Sequence, residues 1–316
     1  MKIIIPIKSI LILLLLFSCS SCEKSEAELE QMALHDPNPM RQRDAADRIR
    51  NDETLIRIFY QTKNPYVKEA CVSGLSSSDA LMKIAKDKSH SDSARSVAIL
   101  RINDRNLAKK IIADKSDDAR DTAVQCLSPE LDEELIHSLG TDIKEGKFVR
   151  SYAILRMKDQ VAIKKILETE NDINIRLAAA TSLRDEKMNE EMFYKETNRD
   201  VKINLIEAQR NQVFLKRVVE SDTDIIFRAF SARNITDQNY LIVLAKNDKA
   251  WRVRQEAIEK IKDQKFIQER AINETDPDVR CIIVELLTDK DILKSISNND
   301  VDNKVRIAAS RRLRRL

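Results

Sequence analysis

The apolar residues of this chain come in short stripes that return at a fixed interval, most clearly from Val253 to Ile261. Val253, Ala257, Ile258 and Ile261 fall at i, i+4, i+5 and i+8, one face of a helix, with charged residues opposite. With Val253 as column zero, its equivalents are Arg41, Val67, Ala94, Ala119, Val149, Ile175, Val201, Phe227, Val279 and Val305. From Val149 onward every step is 26 residues; the earlier steps are 26, 27, 25 and 30, the last being an insertion around Asp132 to Gly146.

Further columns hold the same register. Four residues on stand mostly small residues, such as Ala45, Cys71, Ala98, Ala153 and Ala257, which let helices approach closely. Eight residues on runs an apolar ridge, Ile49, Leu75, Ile102, Leu127, Met157, Leu183, Ile235, Ile261, Leu287 and Leu313, broken by Gln209. Ten residues on come Asn51, Ser77, Asp104, Asp159, Asp185, Asn211, Asp237, Asp263 and Asp289, residue types whose side chains accept from free N–H groups at a helix start. A second apolar stripe follows, as in Phe214, Leu215, Val218 and Val219, or Phe266, Ile267 and Ala271. Each repeat therefore reads as two short helices that cannot hide their apolar faces alone, so stacking is obligatory. The expected fold is all-α, a solenoid of about eleven two-helix repeats over residues 25–316.

Composition agrees, since 3 Gly, 6 Pro and 4% aromatics in 316 residues leave little material for strands, while 34% charged residues suit exposed helix faces. The N-terminus changes the picture. Lys2 and Lys8 precede and flank the apolar run Ile10 to Phe17, which is too short to span a bilayer and reads as an export signal over residues 1–18. Leu16-Phe17-Ser18-Cys19 resembles the lipobox of bacterial lipoproteins, which implies cleavage before Cys19, its lipidation with a fatty acyl group such as palmitate, and a tether of residues 19–24. Plain cleavage without lipidation is the alternative. Ser20 after that cysteine resembles outer-membrane sorting. Ser25 and Glu28 then form a capping box ahead of Leu29, Met32 and Ala33.

Removing residues 1–18 takes away Lys2 and Lys8 and leaves 53 basic against 52 acidic side chains, a balance that excludes a nucleic-acid binder. Cys71, Cys126 and Cys281 lie in different repeats, too far apart for disulfides, and Cys71 and Cys281 read as small reduced helix residues.

In the column after zero stand Lys68, Arg95, Arg120, Arg150, Arg176, Lys202, Arg228, Arg254, Arg280 and Arg306, and five residues before zero an acid is usual, as in Asp36, Asp114, Glu170, Glu196, Asp222, Asp248, Glu274 and Asp300. This resembles the HEAT repeat, whose arginine and acidic residue form a ladder along the stack. The resemblance implies a structural role for Arg95, Arg120, Arg150, Arg176, Arg228, Arg254, Arg280 and Arg306. It puts the ladder in doubt where the repeat's own acid is missing, in the repeats of Val67, Ala94 and Val149. A 26-residue repeat is short for that family, so the first helix of each pair is expected to span one or two turns.

No catalytic, metal-binding or cofactor-binding set is apparent. His35, His90 and His137 are far apart and read as surface residues, and Gly74, Gly140 and Gly146 form no phosphate loop. The candidate partner-binding residues are the loop aromatics Tyr66, Phe148 and Trp251, as anchors, and Glu207, Gln255, Glu259 and Glu285 on the outward side of the column-zero helices, where residue type changes while the core columns do not. Arg311, Arg312, Arg314 and Arg315 are read as a polar cover for the end of the stack. The expected function is a lipid-anchored scaffold that binds another protein at the bacterial cell envelope, without catalysis, nucleic acid or a small-molecule substrate. The alternatives are a HEAT-like lyase-type enzyme and a self-associating structural lipoprotein.

Overall fold

The computed structural model describes residues 24–90 and 92–316; Cys19 and the segment read as an export signal lie outside them. Among the described residues there are 22 helices and no strand, in eleven consecutive pairs from Glu26–His35 with Pro39–Arg48 to Lys290–Asn299 with Asn303–Arg315. The second member of each pair carries column zero and is termed the ladder helix; the first is the outer helix. This is the all-helical repeat solenoid that the stripes require.

Side-chain caps set most of the helix starts. Asp263 accepts from the amides of Lys265 and Phe266 and starts the outer helix Gln264–Asn273, and the other residues of column ten cap in the same way. Ser25 and Glu28 form both halves of the capping box. Except in Asp92–Ile102 and Asn303–Arg315, the ladder helix stops before column eight. Ile261 follows Trp251–Lys260 in extended conformation, its amide reaching back to Ile258, and its side chain is buried. The apolar ridge thus comes from the turn rather than the helix, and an extended residue turns the chain as well as filling the core.

From Gln160 onward every helix but the last spans ten residues and every link spans three, which accounts for the 26-residue period. The expectation of a one- or two-turn first helix is therefore corrected, since the outer helices span nearly three turns. The brevity lies in the links, which Asx caps close within three residues.

The core lies between the two rows. Phe214, Leu215, Val218 and Val219 of an outer helix are buried, as are Val253, Ala257 and Ile258 of a ladder helix. Truncating one such Leu or Ile to Ala costs about 2–5 kcal/mol. Gln209 is not an error in the ridge. It is buried beside Asn189, which stands in a core column of the outer row, and donates to Asn189 Oδ1 at 3.3 Å and to the Glu186 carbonyl at 3.2 Å. Asn189 donates to the Leu183 and Leu205 carbonyls, so the polar pair is satisfied within itself and the backbone.

The described residues form two compact units, one ending at Ser128 and the other spanning Pro129–Leu316. The division falls at the 30-residue step, where the ladder helix Arg120–Val124 keeps five residues and Lys147–Ile154 keeps eight. Within the second unit Gly140 packs against Ile154 and Met157, and a Cβ there would displace the Met157 methyl.

Candidate functional site

Three surfaces follow from this architecture: the edge formed by the links before the ladder helices, the edge formed by the turns after them, and the outward face of the ladder row.

At the first edge the arginine column forms a ladder, and its pairing runs forward to the next repeat. Arg280 grips Asp300 through Nε and Nη2, both at 3.0 Å, while Nη1 donates to the carbonyls of Glu274 and Thr275 in its own repeat. Arg254 does the same with Glu274 at 2.7 and 3.2 Å and with the carbonyls of Asp248 and Lys249. Arg150 pairs with Glu170 at 2.8 Å, Arg176 with Glu196 at 3.3 Å, and Arg228 with Asp248. Each acid also closes its own link, as when Asp300 accepts from the Asp302 amide and Glu274 from the Asp276 amide. One carboxylate thus joins a loop to the repeat before it. At Arg254 and Arg280 these are the two-pronged, charge-assisted contacts that guanidinium makes best.

Forward pairing changes which repeats lack a partner. Arg95 and Arg150, in repeats without an acid of their own, are paired: Arg95 is buried against Asp117 at 3.1 Å and Asp118 at 2.6 Å. Arg120 donates to the Ile112 carbonyl. Arg306 bonds the carbonyls of Asp300 and Val301 and the Asn303 side chain. Where lysine replaces arginine the contact changes, and Lys202 Nζ lies over the rings of Phe193 and Phe227 at 4.3 and 5.0 Å.

Burial alone would raise the Glu274 carboxyl. Hydrogen bonds from Arg254, the Asp276 amide and Arg270 outweigh it and hold the group at about 2, against an ordinary 4.5.

The second edge carries a ladder that the sequence reading missed. Gln238 donates to the Lys260 carbonyl and accepts from the Lys262 amide, clasping both sides of the next repeat's turn. Gln160 and Gln212 make the same pair of bonds, and Gln264 clasps Leu286 and Thr288. The signal available was glutamine at column eleven in four repeats, beside the more obvious caps of column ten.

The outward face of the ladder row is the third surface. Within each unit neighbouring ladder helices pack closely while outer helices scarcely touch, so the ladder row is the tighter, inner side. In the second unit this face begins apolar. Phe148, Tyr152 and Leu155 share one face of Lys147–Ile154 and its end by their spacing, Phe148 being 62% exposed. Half-buried Leu177, Ile203 and Phe230 continue the row on the following ladder helices.

Farther along, the face turns polar and holds the expected residues. Glu207 lies 3.8 Å from Arg233, whose guanidinium also forks onto Glu256; Gln255 donates to Glu259; Glu285 lies 3.3 Å from Arg315. The three loop aromatics are exposed but are not gathered into one site. Phe148 joins the inner face, Trp251 starts its helix at the loop edge, and Tyr66 belongs to the first unit.

Among the described residues no cluster of His, Cys, Asp and Glu is placed to hold a metal ion. His35 is exposed and His137 partly exposed, but His90 is not the surface residue expected. It packs edge-on to Phe59, with ring centroids 4.9 Å apart, and burial lowers its pKa. The flat Phe59 ring offers the imidazole an apolar wall that a loop position does not advertise. Cys71, Cys126 and Cys281 are free thiols, and burial pushes Cys71 up to about 12.

No family model matches this chain, and no curated protein matches it. A solved structure described as a leucine-rich repeat variant with a novel repetitive protein structural motif is 21% identical, with a TM-score of 0.43. The match covers 71% of this chain and 87% of that one.

Proposed function

We propose that this chain is a lipid-anchored, HEAT-like scaffold that binds another protein of the bacterial cell envelope along the inner face of its ladder row, without catalysis of its own. The observation that carries the reading is the apolar run Phe148, Tyr152, Leu155, Leu177 and Ile203. Three of these residues lie on Lys147–Ile154 and its end, and one on each of the next two ladder helices. Leu177 and Ile203 share one column in adjacent repeats, about 8–10 Å apart, and continue from the cluster on Lys147–Ile154, a spacing that suits an extended polypeptide partner. The HEAT likeness is supported by the arginine–acid contacts, and the anchor by the lipobox-like segment ending in Cys19. Such a tether spans at most ~20 Å, which would hold the array against its membrane.

The test is affinity capture with the chain beginning at Glu23, and with the same chain carrying Leu177→Arg and Ile203→Arg. One stoichiometric envelope protein captured by the first and lost by the second supports the reading; no capture, or equal capture, opposes it. Labelling with palmitate in cells, with Cys19→Ala as the control, tests the anchor separately.

A further inference from the structure

The insertion that breaks the period also builds a feature that the scaffold reading does not use. Between the outer helices Glu133–Thr141 and Gln160–Thr169 lies a cleft of about 800 Å³, within the size range of small-molecule sites. Where the later links have three residues, this link runs from residue 142 to 146, and its extra length carries Ile143 over the cleft, 81% exposed. Val161 faces the same space at 66% exposure, with Ile166 beneath. Two large, uncovered aliphatic side chains in a concave site favour an apolar guest.

The charges around it are unequal. Arg150 is neutralised by Glu170 at 2.8 Å, and His137 lies 3.3 Å from Asp159, whose carboxylate also caps the helix at Val161 and Ala162. Lys165 lines the cleft and, among the described residues, has no carboxylate within ion-pair distance. One cation without a counter-ion beside an aliphatic floor matches a single negative charge on an aliphatic body. A doubly charged phosphate would require a second free cation, and Arg150 is engaged by Glu170.

The geometry points to a binding site for an aliphatic monocarboxylate, of medium chain length, with its carboxylate at Lys165 and its alkyl chain on Ile143, Val161 and Ile166. This site lies on the outer row and is independent of the inner-face partner.

Isothermal titration of residues 24–316 with decanoate, decylamine and decanol tests it. Decanoate should bind with a Kd on the order of 1 mM or tighter, and the amine and alcohol at least ~5-fold more weakly. Lys165→Glu should weaken decanoate at least ~10-fold, Lys165→Arg should retain it, and Val161→Asp should weaken it with the lysine intact. Both side chains are exposed, so unchanged circular dichroism would show that the loss is not unfolding. No binding up to ~10 mM, equal affinity for decylamine, or undiminished binding by Lys165→Glu would overturn the assignment.

Discussion

Replacing Arg254 by alanine probes the ladder at a rung whose acid is buried. The Glu274 side chain is 1% exposed and receives four hydrogen bonds, two from Arg254, one from Arg270 and one from the Asp276 amide. Its pKa, held at about 2 instead of 4.5, corresponds to roughly 3 kcal/mol of folded-state stabilisation at neutral pH, net of burial. Arg254 supplies half of the bonds, so its loss should remove about 1.5 kcal/mol of this. Loss of its bonds to the Asp248 and Lys249 carbonyls brings the total to about 2–3 kcal/mol. The sign with pH follows. Because the folded pKa is depressed, the stabilisation is complete above 4.5 and disappears as pH falls through 4.5 towards 2, so the gap between wild type and variant should narrow there.

Urea unfolding followed by Trp251 fluorescence is the appropriate assay. Trp251 is the only tryptophan and begins the helix that carries Arg254, so it reports that repeat even if a repeat array unfolds in sections. A gap under about 0.5 kcal/mol at pH 7, or one that stays constant from pH 7 to about 2.5, would refute the reasoning.

Three further outcomes follow from the same structure. Gln209→Leu should cost about 1–3 kcal/mol by stranding Asn189, and Asn189→Leu added to it should recover most of that loss; a double variant no better than the single would show that the polar pair is not the unit. Gln238→Ala should cost about 1 kcal/mol by releasing the Lys260–Lys262 turn, seen as faster amide exchange at Lys262 while the outer-helix amides of Gln264–Asn273 stay protected; uniform exchange would argue against a clasp. His90 has a folded pKa below 6.5, so its packing stabilises the neutral form and is lost as pH falls through 6.5. His90→Phe should flatten this part of the pH–stability curve, and an unchanged curve would remove His90 from the account.

The repeat could be read in the sequence because burial and capping are local demands that recur every 26 residues. Val253, Ala257 and Asp263 each announce their place through residue type alone. Contacts between repeats were harder to read, because they depend on which neighbour a side chain faces. The arginine column was visible, but its pairing direction was not: Arg280 uses its own repeat's carbonyls and the next repeat's acid, and residue types cannot distinguish the two. Gln238 was overlooked for a related reason, since glutamine after a cap looks like ordinary helix surface until the neighbouring turn is in place. On the inner face, Phe148 stood out as a loop aromatic. Leu177 and Ile203 did not, because an aliphatic residue on a helix looks like core unless the helix's buried side is known.

The most direct measurement is site-specific photocrosslinking in cells, with the reactive side chain at Leu177 or Ile203 on the ladder row and at exposed Val213 on the outer row. A partner held along the inner face should give one shared crosslinked protein from 177 and 203 and none from 213. Crosslinks from 213 alone, or the same product from all three positions, would contradict it.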